Sequence, residues 1–281
     1  MTYEGYECLR IRVEDGVAFV TIDHPPINLF DMALIQEMDR VGRALADDPD
    51  VRVVVLDSAN PDFFIAHADV ALIQRLPRGA TAKPTELGIF HVMVERFRTM
   101  PKATIAKIEG RTRGGGSELV LSFDMRFAAA WPCGTGAARG RARHHPGRQR
   151  QRSACRGSWD GAARSRSILG CDDFDADTGR SATGWVNCAL PPALARPASS
   201  SSLARRIASF PAEAIALAKA LGRRVPSSRP SAGLVSKRAH YFNQALATTA
   251  AERRMRWFLE SGGQTPEVEC DLAAMIETYE E

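Results

Sequence analysis

The sequence predicts an α/β fold, and three observations carry that prediction. Short β-branched or continuously apolar runs alternate with longer segments whose apolar residues recur at helical spacing. Pro, Gly and Asp punctuate the boundaries between them. A composition of 44% hydrophobic and 25% charged residues over 281 positions is enough to bury a sizeable core, which excludes a chain that is disordered throughout.

Taken in order, "VAFVTIDHP" (residues 17–25) alternates and is β-branched, so it reads as a strand ending at the Pro pair. In the following helix Met32, Ile35, Met38, Val41 and Leu45 share one face, with Asp31 as N-cap and Pro49 as the stop. "VRVVVLDS" (51–58) is almost wholly apolar, as expected of a strand buried on both faces. A helix over "ELGIFHVMVERFRTM" (86–100) leads to a strand, "ATIAKIEG" (103–110). Gly114, Gly115 and Gly116 then open a helix, "SELVLSF", and "DMRFAAA" (124–130) reads as another strand. Later, "LARRIASFPAEAIALAKALG" (203–222) is helical with a break at Pro211, and "AERRMRWFLESGG" and "EVECDLAAMIETYEE" are amphipathic helices. The expected organisation is an α/β core over 1–200 and a helical C-terminal subdomain over 201–281.

Charge and cysteine usage narrow the class further. The chain carries 37 basic and 33 acidic residues, but nine of the Arg fall between Trp131 and Ser167 beside a single acid, Asp160. Outside that stretch the chain is mildly acidic, so its overall charge says little about partners. Six Cys show no CxxC or Cys/His ligand spacing, which predicts unpaired thiols and no metal site. Neither a signal-like N-terminus nor a run approaching the ~20 apolar residues of a membrane span is found, so the expectation is a cytoplasmic protein without a membrane anchor.

Two short stretches carry chemistry. In "EGRTRGGGSEL" three glycines precede a helix, letting backbone approach a ligand closely and leaving free N–H groups at a positive helix end. Glu118 lies one turn into that helix, where a carboxylate can move a proton. The second stretch, "FFIAHADVALI", places a small-residue turn at Ala66 and Ala68 before another helix, again with exposed N–H groups. Two such turns facing one another make an oxyanion hole from main-chain donors. The structural alternatives are a capped Gly-rich turn for the first and an ordinary loop, with Asp69 as a helix N-terminal charge, for the second.

Together "HPPIN" (24–28), "FFIAHADV" and "IEGRTRGGGSELVLSFDMRFAA", in that order and spacing, resemble the enoyl-CoA hydratase/isomerase (crotonase) superfamily. The resemblance implies a spiral, or superhelix, of ββα units with a helical C-terminal subdomain, and an acyl-CoA thioester as substrate. It implies no cofactor beyond the CoA of that thioester, no nucleic-acid partner, and a homotrimer or hexamer built through the C-terminal helices. By it Ala68 and Gly115 donate the two N–H groups of the oxyanion hole and Glu118 is one of two catalytic carboxylates. Asn28, Leu29, Ala66, Asp69 and Gly114 line the CoA and acyl channel. Three departures stand out: His67 where a glycine is usual, Arg111 and Arg113 where small or apolar residues precede the glycines, and "NLF" where "NAL" is common. Arg113 is open to two readings, recognition of a carboxylated acyl group or simple solvation.

The second glutamate of the resemblance belongs about twenty residues after Glu118, in a "PExxLGxxPGxGG" stretch, and is missing. There the sequence has no Val, Ile, Leu, Met or Phe between Phe127 and Ile168. Read one base out of frame through permitted GC-rich codons, "RGRARHHPGR" spells EVALGIIPG. "CRGSWDGAARSRS" read two bases out permits PRLVGRGRALEV, and "TGRSATG" permits AERYG. Residues 131 to about 167, and 179–183, therefore read as frame-shifted. The rivals are a basic arm for phosphates, poor in the aromatic residues that stack on bases, and a solvated insertion. Implied activities are hydration of a 2-enoyl-CoA, double-bond isomerisation or related chemistry, or acyl-CoA binding without turnover.

Overall fold

A computed structural model describes residues 2–76, 86–129, 188–190, 198–224 and 248–270, together with 272, 275, 278 and 279. The anomalous stretches 131–167 and 179–183, with Asp160, lie outside the described residues.

Eight strands are present among the described residues. Six form one sheet in the order β1 (Leu9–Glu14), β2 (Val17–Ile22), β3 (Val53–Ser58), β5 (Ala103–Ile108), β7 (Met125–Ala129) and β8 (Cys188–Leu190). The hairpin β1–β2 is antiparallel, and every later pairing is parallel. β1 went unread although Leu9, Ile11 and Val13 alternate with Arg10, Arg12 and Glu14, and the Asp15–Gly16 pair after it is a two-residue hairpin signal, both residues sitting at positive φ. A second, two-stranded parallel sheet joins β4 (Phe63–Ile65) to β6 (Arg111–Thr112). The helices are α1 (Met32–Asp47), α2 (Val70–Gln74), α3 (Ile89–Thr99), α4 (Gly115–Val120), α5 (Ala198–Ala208), α6 (Ala212–Arg224), α7 (Thr249–Glu260) and α8 (Pro266–Cys270).

The large sheet separates two cores, and β3 shows why its sequence is continuously apolar. Val54 and Leu56 face one core with Leu34, Met38, Val41 and Leu45 of α1, while Val53 and Val55 face the other. Alternate residues therefore bury on opposite sides, as the period of two requires. On α1 the predicted face is buried from Ile35 to Leu45, and the Asp31 side chain accepts from the Leu34 N–H at 2.9 Å. Met32 is the correction: at the first position of the helix it is 40% exposed, because the apolar face starts one turn later.

The other core includes Val17, Phe19, Val53, Val55 and Ile105 of the sheet, and Ala204, Ala208 and Ile215 of α5 and α6. Packing thus crosses the expected boundary at residue 200: α5 and α6 complete the core of the sheet, and Lys219 of α6 forms an ion pair with Asp124. Among the described residues no helix is long and apolar enough to cross a membrane.

Candidate active site

Strands β4 and β6 run parallel, with Phe63 opposite Arg111 and Ile65 opposite Thr112. Parallel strands deliver their C-terminal turns to the same end, so Ala66–Ala68 and Arg113–Gly115 emerge side by side. The Arg113 N–H donates to the Ile65 carbonyl at 3.2 Å, extending the pairing into the turns. A side chain on Gly114 would begin 3.5 Å from the His67 Cβ, which measures how closely they face.

Backbone conformation selects the glycines here. Gly114, the cap of α4, has φ 48° and ψ −121°, a conformation that glycine alone tolerates readily. At Gly116 a Cβ would stand 2.7 Å from the Ile65 Cβ, closer than real atoms come, so hydrogen at this position lets α4 press onto β4. Beside Gly115 lie the rings of Phe30 and Phe90, 3.3 Å from where a side chain would start and T-shaped to each other at 5.6 Å.

Ala68 is held by Phe30 on both sides. The Phe30 N–H donates to the His67 carbonyl at 2.9 Å, and the Asp69 N–H donates to the Phe30 carbonyl at 3.0 Å. The peptide linking His67 and Ala68 is therefore fixed, and among the described residues neither the Ala68 nor the Gly115 N–H has an acceptor. Two uncommitted donors in adjacent turns suit an oxygen that gains negative charge. Glu118, half-buried, follows in the first turn of α4.

Other expected site residues fall into two groups. Leu29, Asp69 and Gly114 are half-buried around the turns; Asp69 caps α2 by accepting from the Ala71 N–H, and it also accepts from Gln264 Nε2, both at 2.9 Å. Asn28 and Ala66 are buried. The Asn28 side chain is 1% exposed and donates to Ser58 Oγ (2.9 Å) and the carbonyls of Phe63 (3.1 Å) and Phe64 (3.2 Å) while accepting from the His24 N–H (2.9 Å). It clasps the "HPPIN" turn to β4. Ala66 is fully buried against Ile27 and Phe63.

The three basic departures acquire a shared cause at the far end of the chain. Glu269 of α8 is wholly buried, with Oε1 2.8 Å from His67 Nε2 and Oε2 3.0 Å from Arg113 Nη1. Arg113 also donates to the Glu269 carbonyl, and Arg111 Nη2 to that of Cys270 at 2.9 Å. Despite burial, which pushes a carboxyl up, His67 and Arg113 together hold Glu269 below the usual glutamate range. The solvated reading of Arg113 is thereby corrected: the side chain is 6% exposed and paired with Glu269. Glu269 itself was missed. The available signal was two Arg and a His displacing small residues in two turns, which demands a counter-charge from elsewhere.

Among the described residues no group of three or more His, Cys, Asp or Glu is placed to hold a metal ion. The fold and paired turns define a crotonase-type protein, and comparison with known proteins agrees. The sequence model of the enoyl-CoA hydratase/isomerase family matches residues 12–135. A Streptomyces avermitilis protein of known structure, assigned to the enoyl-CoA hydratases, is 31% identical with a TM-score of 0.77, covering 98% of each chain. Crotonyl-CoA hydratase of Syntrophomonas wolfei is 30% identical over 45% of this chain and 48% of its own. Short-chain-enoyl-CoA hydratase of Clostridium acetobutylicum is 31% identical over 43% and 46% respectively. The chain thus spans about half the length of the curated relatives it matches. It belongs to the enoyl-CoA hydratase/isomerase family.

Proposed function

We propose that this chain processes acyl-CoA thioesters through a stabilised enolate, and that its reaction is hydration of a 2-enoyl-CoA to the 3-hydroxyacyl-CoA. The observation that carries the reading is the juxtaposition of the Ala68 and Gly115 amides, without acceptors among the described residues, one turn before Glu118. When water adds at C3 of the enoyl group, charge develops on the thioester oxygen, and two fixed N–H donors stabilise that charge more than the ground-state carbonyl. One carboxylate takes the proton from water and another delivers a proton to C2. Glu118 serves as one of the pair. These are proton transfers, and they call for no cofactor beyond the CoA of the substrate. Leu29, Asp69 and Gly114 stand as lining residues, and a trimer or dimer of trimers is the proposed assembly.

The second carboxylate decides between turnover and binding. As the sequence stands no Glu occupies residues 131–167, and the family match ends at residue 135, a few positions into that stretch. The restored frame, EVALGIIPG, supplies one. A chain with Glu118 alone is an acyl-CoA binder without hydration, and this is the second reading.

The test is crotonyl-CoA hydration, followed by loss of the enoyl absorbance, for the protein and for Glu118→Gln. The variant is expected to lose about 10²–10⁴-fold in turnover while acyl-CoA affinity stays nearly intact. Full hydration by Glu118→Gln overturns the assignment, and tight acyl-CoA binding by a protein that never hydrates selects the second reading.

A further inference from the structure

We infer that Glu269 is a positioning residue for the oxyanion site, acting through His67 to fix the turn that carries the Ala68 amide; this rests on the acyl-CoA reading of that site. His67 bridges two oxygens. Its Nδ1 lies 2.8 Å from the Ala68 carbonyl and its Nε2 2.8 Å from Glu269 Oε1, and both partners accept. The ring therefore spans from the residue that presents the amide to a buried carboxylate on the last helix of the site.

That carboxylate is immobile for independent reasons. Arg113 grips both its side chain and its backbone carbonyl, and the Gln264 N–H donates to Oε1 at 3.2 Å. Since Arg113 immediately precedes Gly114 and Gly115, one buried anion restrains both turns of the oxyanion site at once. Two further contacts tie the same segment down: Gln264 Nε2 to Asp69 Oδ1, and the Phe258 ring edge-on to His67 at 5.9 Å. Family members with glycine at position 67 have no side chain there to make this bridge; here the ring replaces the tight glycine turn by a strut to the C-terminus.

The consequence is that the C-terminal segment of a chain completes its own oxyanion site. A shift of about 1 Å in a catalytic group costs on the order of a hundredfold in rate, so the strut is a control point as well as a structural contact.

The test uses Glu269→Gln and His67→Ala in the full chain, with two readouts. Amide hydrogen exchange of Phe30 and Asp69, the donor pair that brackets Ala68, is expected to rise about tenfold or more in both variants. The absorption band of bound 4-dimethylaminocinnamoyl-CoA, which moves to longer wavelength as its carbonyl is hydrogen-bonded, is expected to lose half or more of its shift, with affinity for free CoA unchanged. A purely structural role moves neither the band nor the balance between the two affinities. Wild-type exchange and a full band shift in both folded variants overturn the inference. Should Glu269→Gln fail to fold, His67→Ala decides alone, because it leaves the Arg113–Glu269 pair in place. A wild-type protein that gives no band shift overturns the acyl-CoA reading instead, and the exchange result still decides whether the strut fixes the turn.

Discussion

Arg113 and Glu269, 156 positions apart in the chain, meet with 3.0 Å between Nη1 and Oε2 where their side chains are 6% and 0% exposed. A buried ion pair offers little over a well-packed apolar pair, but removing one partner strands the other charge away from water. Glu269→Gln is therefore expected to destabilise the protein by about 3–5 kcal/mol, read from chemical denaturation. A loss below about 1 kcal/mol, the range of exposed pairs, contradicts the buried geometry.

The pH dependence of that stability has a definite sign. Glu269 is held below the ordinary glutamate value of 4.5 in the folded state, so its contribution is fully present above that value and is lost as pH falls through the folded value. The stability gap between the protein and Glu269→Gln is expected to narrow progressively below pH 4.5. Asp57, pushed up by burial, acts in the opposite sense, but it is common to both proteins and cancels in the difference. A gap that widens on acidification refutes the assignment.

Gly116→Ala tests how closely α4 must approach β4. The added methyl meets the Ile65 Cβ at 2.7 Å and its carbonyl oxygen at 3.0 Å, so strand or helix has to move. Overpacking of this kind costs about 1–3 kcal/mol, and here it also spreads the two amides. Turnover or thioester band shift should therefore fall more than CoA affinity does.

Asn28→Ala separates a clasp from a ligand contact. It orphans the His24 N–H and removes the donor to Ser58, Phe63 and Phe64, and each buried group left unsatisfied costs about 1–3 kcal/mol. The expected result is a lower unfolding midpoint with acyl-CoA affinity retained at temperatures where the variant stays folded. Weakened binding without lost stability returns Asn28 to the channel.

Tryptic and Glu-C peptide maps over Trp131–Trp185 decide the frame of the Arg-rich stretch. Peptides containing EVALGIIPG are expected, and with them a second glutamate. Peptides containing "HHPGR" establish the sequence as it stands and leave acyl-CoA binding as the function to test first.

Local periodicity made much of the fold legible. The alternating β2, the doubly buried β3 and the apolar stripe of α1 each bury the residues their spacing marks, since period two and period 3.6 are properties of a dozen neighbouring residues. Position 32 misled because the first residue of α1 lies ahead of the stripe that its later turns bury. The bonds of Asn28 were not legible for a different reason: a polar residue in a motif looks the same whether its amide meets substrate or three oxygens of its own chain.

What the sequence determined by itself was the α/β alternation and the two Gly- and Ala-lined turns that precede helices, together with Glu118, because each depends on residues close in the chain. Only the tertiary structure decided that those turns lie side by side, which required the parallel pairing of β4 with β6 across 45 intervening residues. It likewise decided that His67 and Arg113 answer to one anion on α8. Burial forces charges to find partners, but the chain spacing at which they find them is set by the path of the backbone through space, and no local pattern records it.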